Sequence, residues 1–274
     1  VTAYGARSSG IGIETDFVRL LIARNALPAP VDAGPAWPFR LRIRALGGFE
    51  LVRDGQPMQF SGKAQQRPLD LLKAVVAQGV AGIDSAAVTA ALWPDADGAA
   101  AKASFDAALF RLRKLLDVDG AVQLTGGKLS LAPALVWTDV RALEAALGAA
   151  DRACENRADG RTLAHAARTL LAAYPGPLLG TEEAPWFAKP RDAWRSRVLR
   201  ALTALGRALE DEGDWATAID VYRRGLEADN LAEPLYRGLM RSLAATGDRA
   251  EALVAFRRCR ELLSVVLGLK PSAE

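Results

Sequence analysis

Leu205, Leu209, Gly213, Asp214, Ala218 and Tyr222 are matched, 34 residues further on, by Leu239, Leu243, Gly247, Asp248, Ala252 and Phe256. No other feature limits the folds open to this chain as strongly. A period of that length corresponds to a helical hairpin, which cannot bury its apolar face alone and so stacks on a neighbour. Ala218 and Ala252 are small where paired helices approach closely, and Tyr222 and Phe256 fill the gap between successive units. The chain from Trp137 onward is therefore expected to be all-helical. It should open with a helix over residues 139–150 that is capped by the Trp137-Thr138-Asp139-Val140 step.

The first half has a different rhythm. Leu41, Ile43 and Ala45 alternate with Arg42 and Arg44, and after Gly47-Gly48 the pattern resumes with Phe49 and Leu51 around Glu50. Two short strands joined by a glycine pair follow from that alternation, with a turn over Arg53 to Pro57. Gln65 to Gln78 has helical spacing, with Leu69, Leu72, Val75 and Val76 as its buried stripe and Pro68 tolerated in the first turn. Asp84 or Ser85 can cap a second helix over residues 86–93, which ends at Trp93-Pro94. A loop, DADGAA, leads to a third helix, Lys102 to Leu116. Phe105, Leu109, Leu112 and Leu116 share one face of it, and the other side carries Lys102, Arg111, Arg113 and Lys114 against the single acid Asp106. In isolation this would be an ordinary amphipathic surface helix. Its place, third and directly before alternating strands Val122–Thr125 and Lys128–Leu131 around Gly126-Gly127, makes it the reading helix of a winged helix-turn-helix. The fold class is thus an α+β winged helix-turn-helix followed by an all-α, tetratricopeptide-like helical repeat domain.

Ahead of these lie a short amphipathic helix, Ile13 to Leu27, and a Pro/Ala/Gly-rich stretch, residues 28–38, which reads as a stiff extended linker. The chain opens Val-Thr-Ala-Tyr without a basic-then-apolar leader, which reads as a fragment of something longer with no secretory signal. No long uncharged apolar run suggests a membrane span. The net charge of +3 is too small to indicate nucleic acid, so the case rests on local clustering. Cys154 and Cys259 have no metal-like spacing and read as buried thiols of a reducing compartment. Thr125-Gly-Gly-Lys128 fails as a phosphate loop, because Val122 stands where glycine is needed and Leu129 where Ser or Thr is needed. Gly10-Ile-Gly12 has Thr15 in place of the third glycine of a dinucleotide fingerprint. His165, the one histidine, has no triad or metal partner nearby, so it reads as a helix-face or core residue. Glu210-Asp211-Glu212 reads as a solvated helix end, and Trp186, Phe187 and Trp194 as repeat-domain core. No catalytic constellation emerges, and neither an enzyme nor a cofactor or metal site is expected.

The run FRLRKLL (110–116), the Trp93-Pro94 step and LGGFEL (46–51) resemble the OmpR-type DNA-binding domain in its SARP-like form, found in bacterial transcription activators. YPGPLLG (174–180), LEDEGDWATAIDVYRRGLEAD (209–229) and CRELLSVVLGLKPS (259–272) resemble the bacterial transcriptional activator domain that follows the winged helix in that family. IETDFVRLLIARNALPAP (13–30) is similar to the junction of large MalT-type regulators, where a nucleotide-binding module and a helical-repeat sensor come first. The resemblance implies the end of a preceding helical sensor domain over residues 1–27 and a linker over 28–39. An OmpR-type DNA-binding domain over 40–135 and a bacterial transcriptional activator domain over 136–274 would follow. It implies a cytoplasmic, nucleoid-associated protein whose partners are promoter double-stranded DNA, with direct-repeat sites, and RNA polymerase. A homodimer stays open, and no membrane partner is expected.

On the DNA reading, Arg111 and Arg113 can each meet a phosphate or pair bidentately with guanine O6 and N7, whereas Lys114 suits a phosphate. Lys102 and Ser104, placed in the first turn, would add backbone contacts beside the helix N-terminus. Lys128 at the wing tip can reach the neighbouring minor groove or its phosphates. Ala108 and Phe110 stand where many relatives carry polar or basic residues, and Ala108 is counted among the DNA-facing positions. For Phe110 the alternatives are a thymine methyl, a partner surface, or packing against the linker or repeat domain. The competing function is a scaffold whose repeat half grips a protein or small effector, without DNA binding.

Overall fold

The structure is a computed structural model that describes residues 33–60 and 65–267, together with Phe17, Leu21, Ile22, Asn25, Leu27, Ala29 and Pro30. The Gly10-Ile-Gly12 motif, most of the Ile13–Leu27 helix and the chain beyond Leu267 lie outside the described residues. The chain divides into two compact units. One runs to Ala142 and includes Leu178–Arg191; the other is Leu143–Pro177 with Asp192 onward.

In the first unit, β1 (Leu41–Arg44), β2 (Glu50–Arg53) and β3 (Gln56–Pro57) form an antiparallel meander. Asp54 and Gly55, at φ 47° and 82°, make the tight turn between β2 and β3. Leu41 and Ile43 point from one face of β1 into the core. A strand not anticipated from the sequence, β7 (Val136–Thr138), pairs parallel with β1, giving the order β3-β2-β1-β7. The expected domain boundary at residue 135 therefore falls one residue before a strand of this sheet. The described part of the expected linker is packed and turned, not extended. Trp37 and Phe39 are buried with Ile22, with Leu27, Ala29, Ala33 and Trp137 packed around them, and the Trp37 N–H bonds the Gly34 carbonyl. The apolar area of those aromatic rings outweighs the stiffness of the surrounding prolines.

Three helices follow: α1 (Gln66–Ala77), α2 (Ser85–Leu92) and α3 (Gly98–Leu116). Leu71, Leu72 and Val75 of α1 bury fully, as do Val88 and Leu92 of α2 and Leu112 and Leu116 of α3. Leu71 belongs to the α1 stripe and Leu69 is only half-buried, because the buried face is phased from Pro68. A second sheet, ordered β4-β6-β5, is built from β4 (Ile83–Asp84), β5 (Val122–Thr125) and β6 (Lys128–Leu131). Leu178–Arg191 is held in this unit by the Leu179 N–H on the Ala45 carbonyl and by Lys73 on Glu182 at 2.6 Å. Trp186 and Phe187 therefore serve this unit and not the repeat core. Their rings meet edge to face, with centroids 4.9 Å apart.

The helix α4 (Asp139–Glu155) starts in the first unit and α6 (Pro185–Asp211) starts with its returning segment; both continue into the second unit. There they join α5 (Gly160–Ala173), α7 (Trp215–Ala228), α8 (Glu233–Ala245) and α9 (Arg249–Leu262). The 34-residue period is visible in the backbone. Gly213 and Gly247 have φ of 76° and 85°, and the caps that follow, Asp214 and Asp248, share φ −83° with ψ 62° and 64°. Each Asp side chain accepts a hydrogen bond from the N–H three residues on, at 3.1 Å. Tyr222 is fully buried between α6 and α8, and a Cβ added at Gly206 or Gly238 would lie 2.3 or 2.2 Å from its ring. Its counterpart Phe256 is 40% exposed.

Glu210 corrects the expectation of a solvated helix end. It is buried and accepts from Arg241 Nε at 2.8 Å and Ser242 Oγ at 2.7 Å, while Asp211 and Glu212 remain exposed. His165 is an exposed helix-face residue. Cys154 and Cys259 are free thiols, half-buried and buried, and burial pushes both above the ordinary thiol range. Among the described residues no helix is long and apolar enough to cross a membrane, and no cluster of His, Cys, Asp or Glu could hold a metal ion.

Candidate nucleic-acid interface

The sequence of α3 sets both its ends. Asp97 adopts an extended conformation before Gly98, and its side chain accepts from the Ala100 N–H at 2.8 Å. Asp117, in the left-handed region at φ 51°, closes the helix with its N–H on the Arg113 carbonyl. The 19 residues give an axis of about 28 Å. The helix starts four residues earlier than the sequence pattern indicates, so Lys102 and Ser104 lie in its second turn. Neither can flank the free N–H groups at the terminus, which Asp97 already engages in part.

Phe105, Leu109, Leu112 and Leu116 form the buried face, and Ala101 and Ala108 join it. Ala108, 4% exposed, is turned into the core, against the expectation that it faces DNA. Lys102, Arg111, Arg113 and Lys114 are exposed, Ser104 is half-buried, and Phe110 is 69% exposed. Arg113 is also tied down: its Nε and a terminal guanidinium nitrogen donate to the Val122 carbonyl of β5 at 3.4 and 3.3 Å. Arg111, Lys102 and Lys114 are thus cations on the solvent side of the helix.

The hairpin beyond α3 is β5 paired with β6, Thr125 opposite Lys128, with Gly126 and Gly127 at φ 58° and 77°. Two consecutive left-handed residues make the type I′ geometry that matches strand twist, and two glycines adopt it without strain. Lys128 is exposed beside that turn. The turn is anchored: the Ser85 N–H of α2 donates to the Gly127 carbonyl at 2.8 Å, and β4 pairs Ile83 with Leu129. Gly82, at φ 65°, is required next to this pairing, because a Cβ there would come within 2.6 Å of the Leu129 oxygen. The start of α2, the hairpin tip and the solvent face of α3 therefore belong to one braced assembly.

The sequence marks Arg53 only as a turn residue. Its guanidinium donates to the Leu115 and Leu116 carbonyls, both at 3.4 Å, and lies 3.7 Å from the Asp117 carboxylate. It places positive charge on the negative end of the α3 dipole. Nothing in local spacing signals this, since the partners lie 62 and 63 residues away.

Residues 138–274 match the family of the bacterial transcriptional activator domain, which is half of the chain. The chain belongs to that family. Among curated proteins this activator-family chain is 30% identical over 259 residues to the regulatory protein AfsR of Streptomyces griseus. It is 30% identical over 254 residues to AfsR of Streptomyces coelicolor. The matches cover 91% and 90% of this chain but 24% of each relative, so the activator-family chain spans about a quarter of their length. The SARP-type kinship read from FRLRKLL and LGGFEL agrees with these relatives. A solved structure of Mycobacterium tuberculosis EmbR, in complex with a low-affinity phosphopeptide, shares the fold with a TM-score of 0.63. That likeness has 22% identity and covers 85% of this chain and 62% of that one. A winged helix followed by a helical activator domain is the architecture of this chain.

Proposed function

We propose that this chain is the sequence-specific DNA-binding and activating part of a bacterial transcription regulator. One observation carries the reading. The third helix of the first unit projects Lys102, Arg111, Arg113 and Lys114, and stands next to a two-glycine hairpin that presents Lys128. A helix with one face packed on two others and four cations around its exposed side fits the major groove, and an adjacent hairpin reaches the neighbouring backbone. Arg111 is assigned to a base edge or a phosphate and Lys114, Lys102 and Lys128 to phosphates. Ser104 has a lesser backbone role. Arg113 is assigned to a base or phosphate in exchange for the Val122 carbonyl. The DNA-binding part is the first unit, in OmpR-type form and with β7 completing its sheet, and the tetratricopeptide-like second unit supplies the surface for RNA polymerase or a second copy. The setting is the bacterial cytoplasm, on promoter DNA.

Selection of bound sequences from a random duplex pool, followed by affinity against salt, tests this. Five cations on phosphates would give a log–log slope of about −4.5. A protein that enriches no duplex, or whose binding ignores salt, would not be this reader.

A second reading has its own support in the second unit. Tyr236, Leu239 and Leu243 of α8 floor a groove of about 450 Å³ between α7 and α9, with Val254 on its wall and the Arg223–Glu251 ion pair spanning it. A scaffold that uses this groove for a peptide or effector, and no DNA, would be recognised by the absence of any salt-dependent duplex binding.

A further inference from the structure

The exposed side of α3 is not uniformly charged. At 100° per residue the buried residues Ala101, Phe105, Ala108, Leu109, Leu112 and Leu116 define one direction, and Ala103, Ala107, Phe110 and Lys114 follow the line almost opposite to it. Asp106 and Arg113 flank that line on one side and Arg111 on the other. The centre of the outward face is thus two methyl groups and a phenyl ring, with the cations displaced towards its edges and its far end. From Ala103 to Phe110 the strip covers about 10 Å, or about three base-pair steps at 3.4 Å each.

Phe110 is 69% exposed and makes no ring contact with the rest of the protein among the described residues. The apolar area of that ring stays open to water, so a partner that covers it with an apolar surface gains the burial. Among the edges of the major groove only thymine offers one, its C5-methyl group. The surrounding cations, four against the single acid Asp106, favour a polyanionic duplex over an apolar protein face.

We infer that Phe110 is a specificity-determining residue that packs on a thymine C5-methyl group, with Ala103 and Ala107 clearing the groove floor beside it. The inference rests on the DNA-binding reading above. It makes the centre of the half-site a thymine selected by its methyl group, with the guanidinium contacts to either side.

Replacing thymine by uracil in the selected duplex removes that methyl and nothing else. With the whole chain, each contacted thymine changed singly to uracil should weaken binding about fourfold, the worth of one buried methyl group. The Phe110→Ala chain should bind the thymine site more weakly and lose the thymine–uracil difference at those positions, with its salt slope unchanged. Phe110→Leu should keep most of the difference. Phe110 is exposed, so an unaltered thermal transition in both variants checks the fold. Tight, salt-dependent binding that ignores uracil everywhere, or a Phe110→Ala chain that still prefers thymine, would overturn the methyl contact and leave the DNA-binding reading standing. If no duplex is enriched at all, both fall.

Discussion

Both carboxylate oxygens of Asp139 accept the backbone N–H of Ala45, at 2.9 and 2.8 Å, across 94 residues of chain. One of them also takes the Leu46 N–H at 2.8 Å. The first residue of α4 thereby satisfies the donors left free where β1 ends. Asp139→Ala would strand two buried N–H groups, and a loss of roughly 2–4 kcal/mol is expected. Urea unfolding followed by tryptophan fluorescence measures it. Asp139→Asn, which keeps one acceptor oxygen, should lose less.

Gly238 and Gly206 are small because Tyr222 occupies the space their side chains would need. Gly238→Ala should destabilise the second unit by about 1–3 kcal/mol through overpacking. Combining it with Tyr222→Leu should cost less than the sum of the two single changes, which a double-mutant cycle reads directly. Full additivity would show that the ring and Gly238 are not in contact.

On the DNA reading, Lys114→Ala should weaken binding evenly across sequences and make the salt slope shallower by about 1. Arg111→Ala should instead cost roughly 1–3 kcal/mol and blunt the preference at one position if it meets a guanine. A titration series at several salt concentrations separates the two patterns.

Asp159 caps α5, and its hydrogen bonds with Thr162 hold its carboxyl below the usual carboxylate range. A lowered folded-state pKa means that the unfolded chain takes up the proton first as pH falls. The cap's contribution is therefore complete above the ordinary Asp value of about 3.9 and disappears as pH drops through the depressed value. Asp159→Asn should flatten that part of the acid-unfolding curve followed by far-ultraviolet circular dichroism, and leave the curve near neutrality unchanged in slope.

What could be read from the sequence was whatever short-range chemistry decides. The hairpin strands Val122–Thr125 and Lys128–Leu131 fall where alternation and the glycine pair put them, and α2 lies between Asp84 and Trp93-Pro94 as its cap and stop require. The start of α3 was hidden because Gly98-Ala-Ala-Ala carries no amphipathic signal, and the informative residue was the capping Asp97. Ala108 misled for a related reason: a methyl group suits either a core or a groove, and only the phase of the whole helix decides. Three-residue β7, the buried Glu210 and the anchoring Arg53 depend on partners dozens of residues away. No window of local sequence holds both halves of those interactions.

Arg113 reaches the Val122 carbonyl with two long hydrogen bonds, so its guanidinium is already engaged before anything binds. Whatever recruits it must outbid that carbonyl, and a pair of acceptors in one plane does so more readily than a lone oxygen. On the DNA reading, that bond would favour partners that offer paired acceptors. Its other end, Val122, is the first residue of β5, so on the DNA reading recruitment of Arg113 would remove a contact between the helix and the hairpin strand.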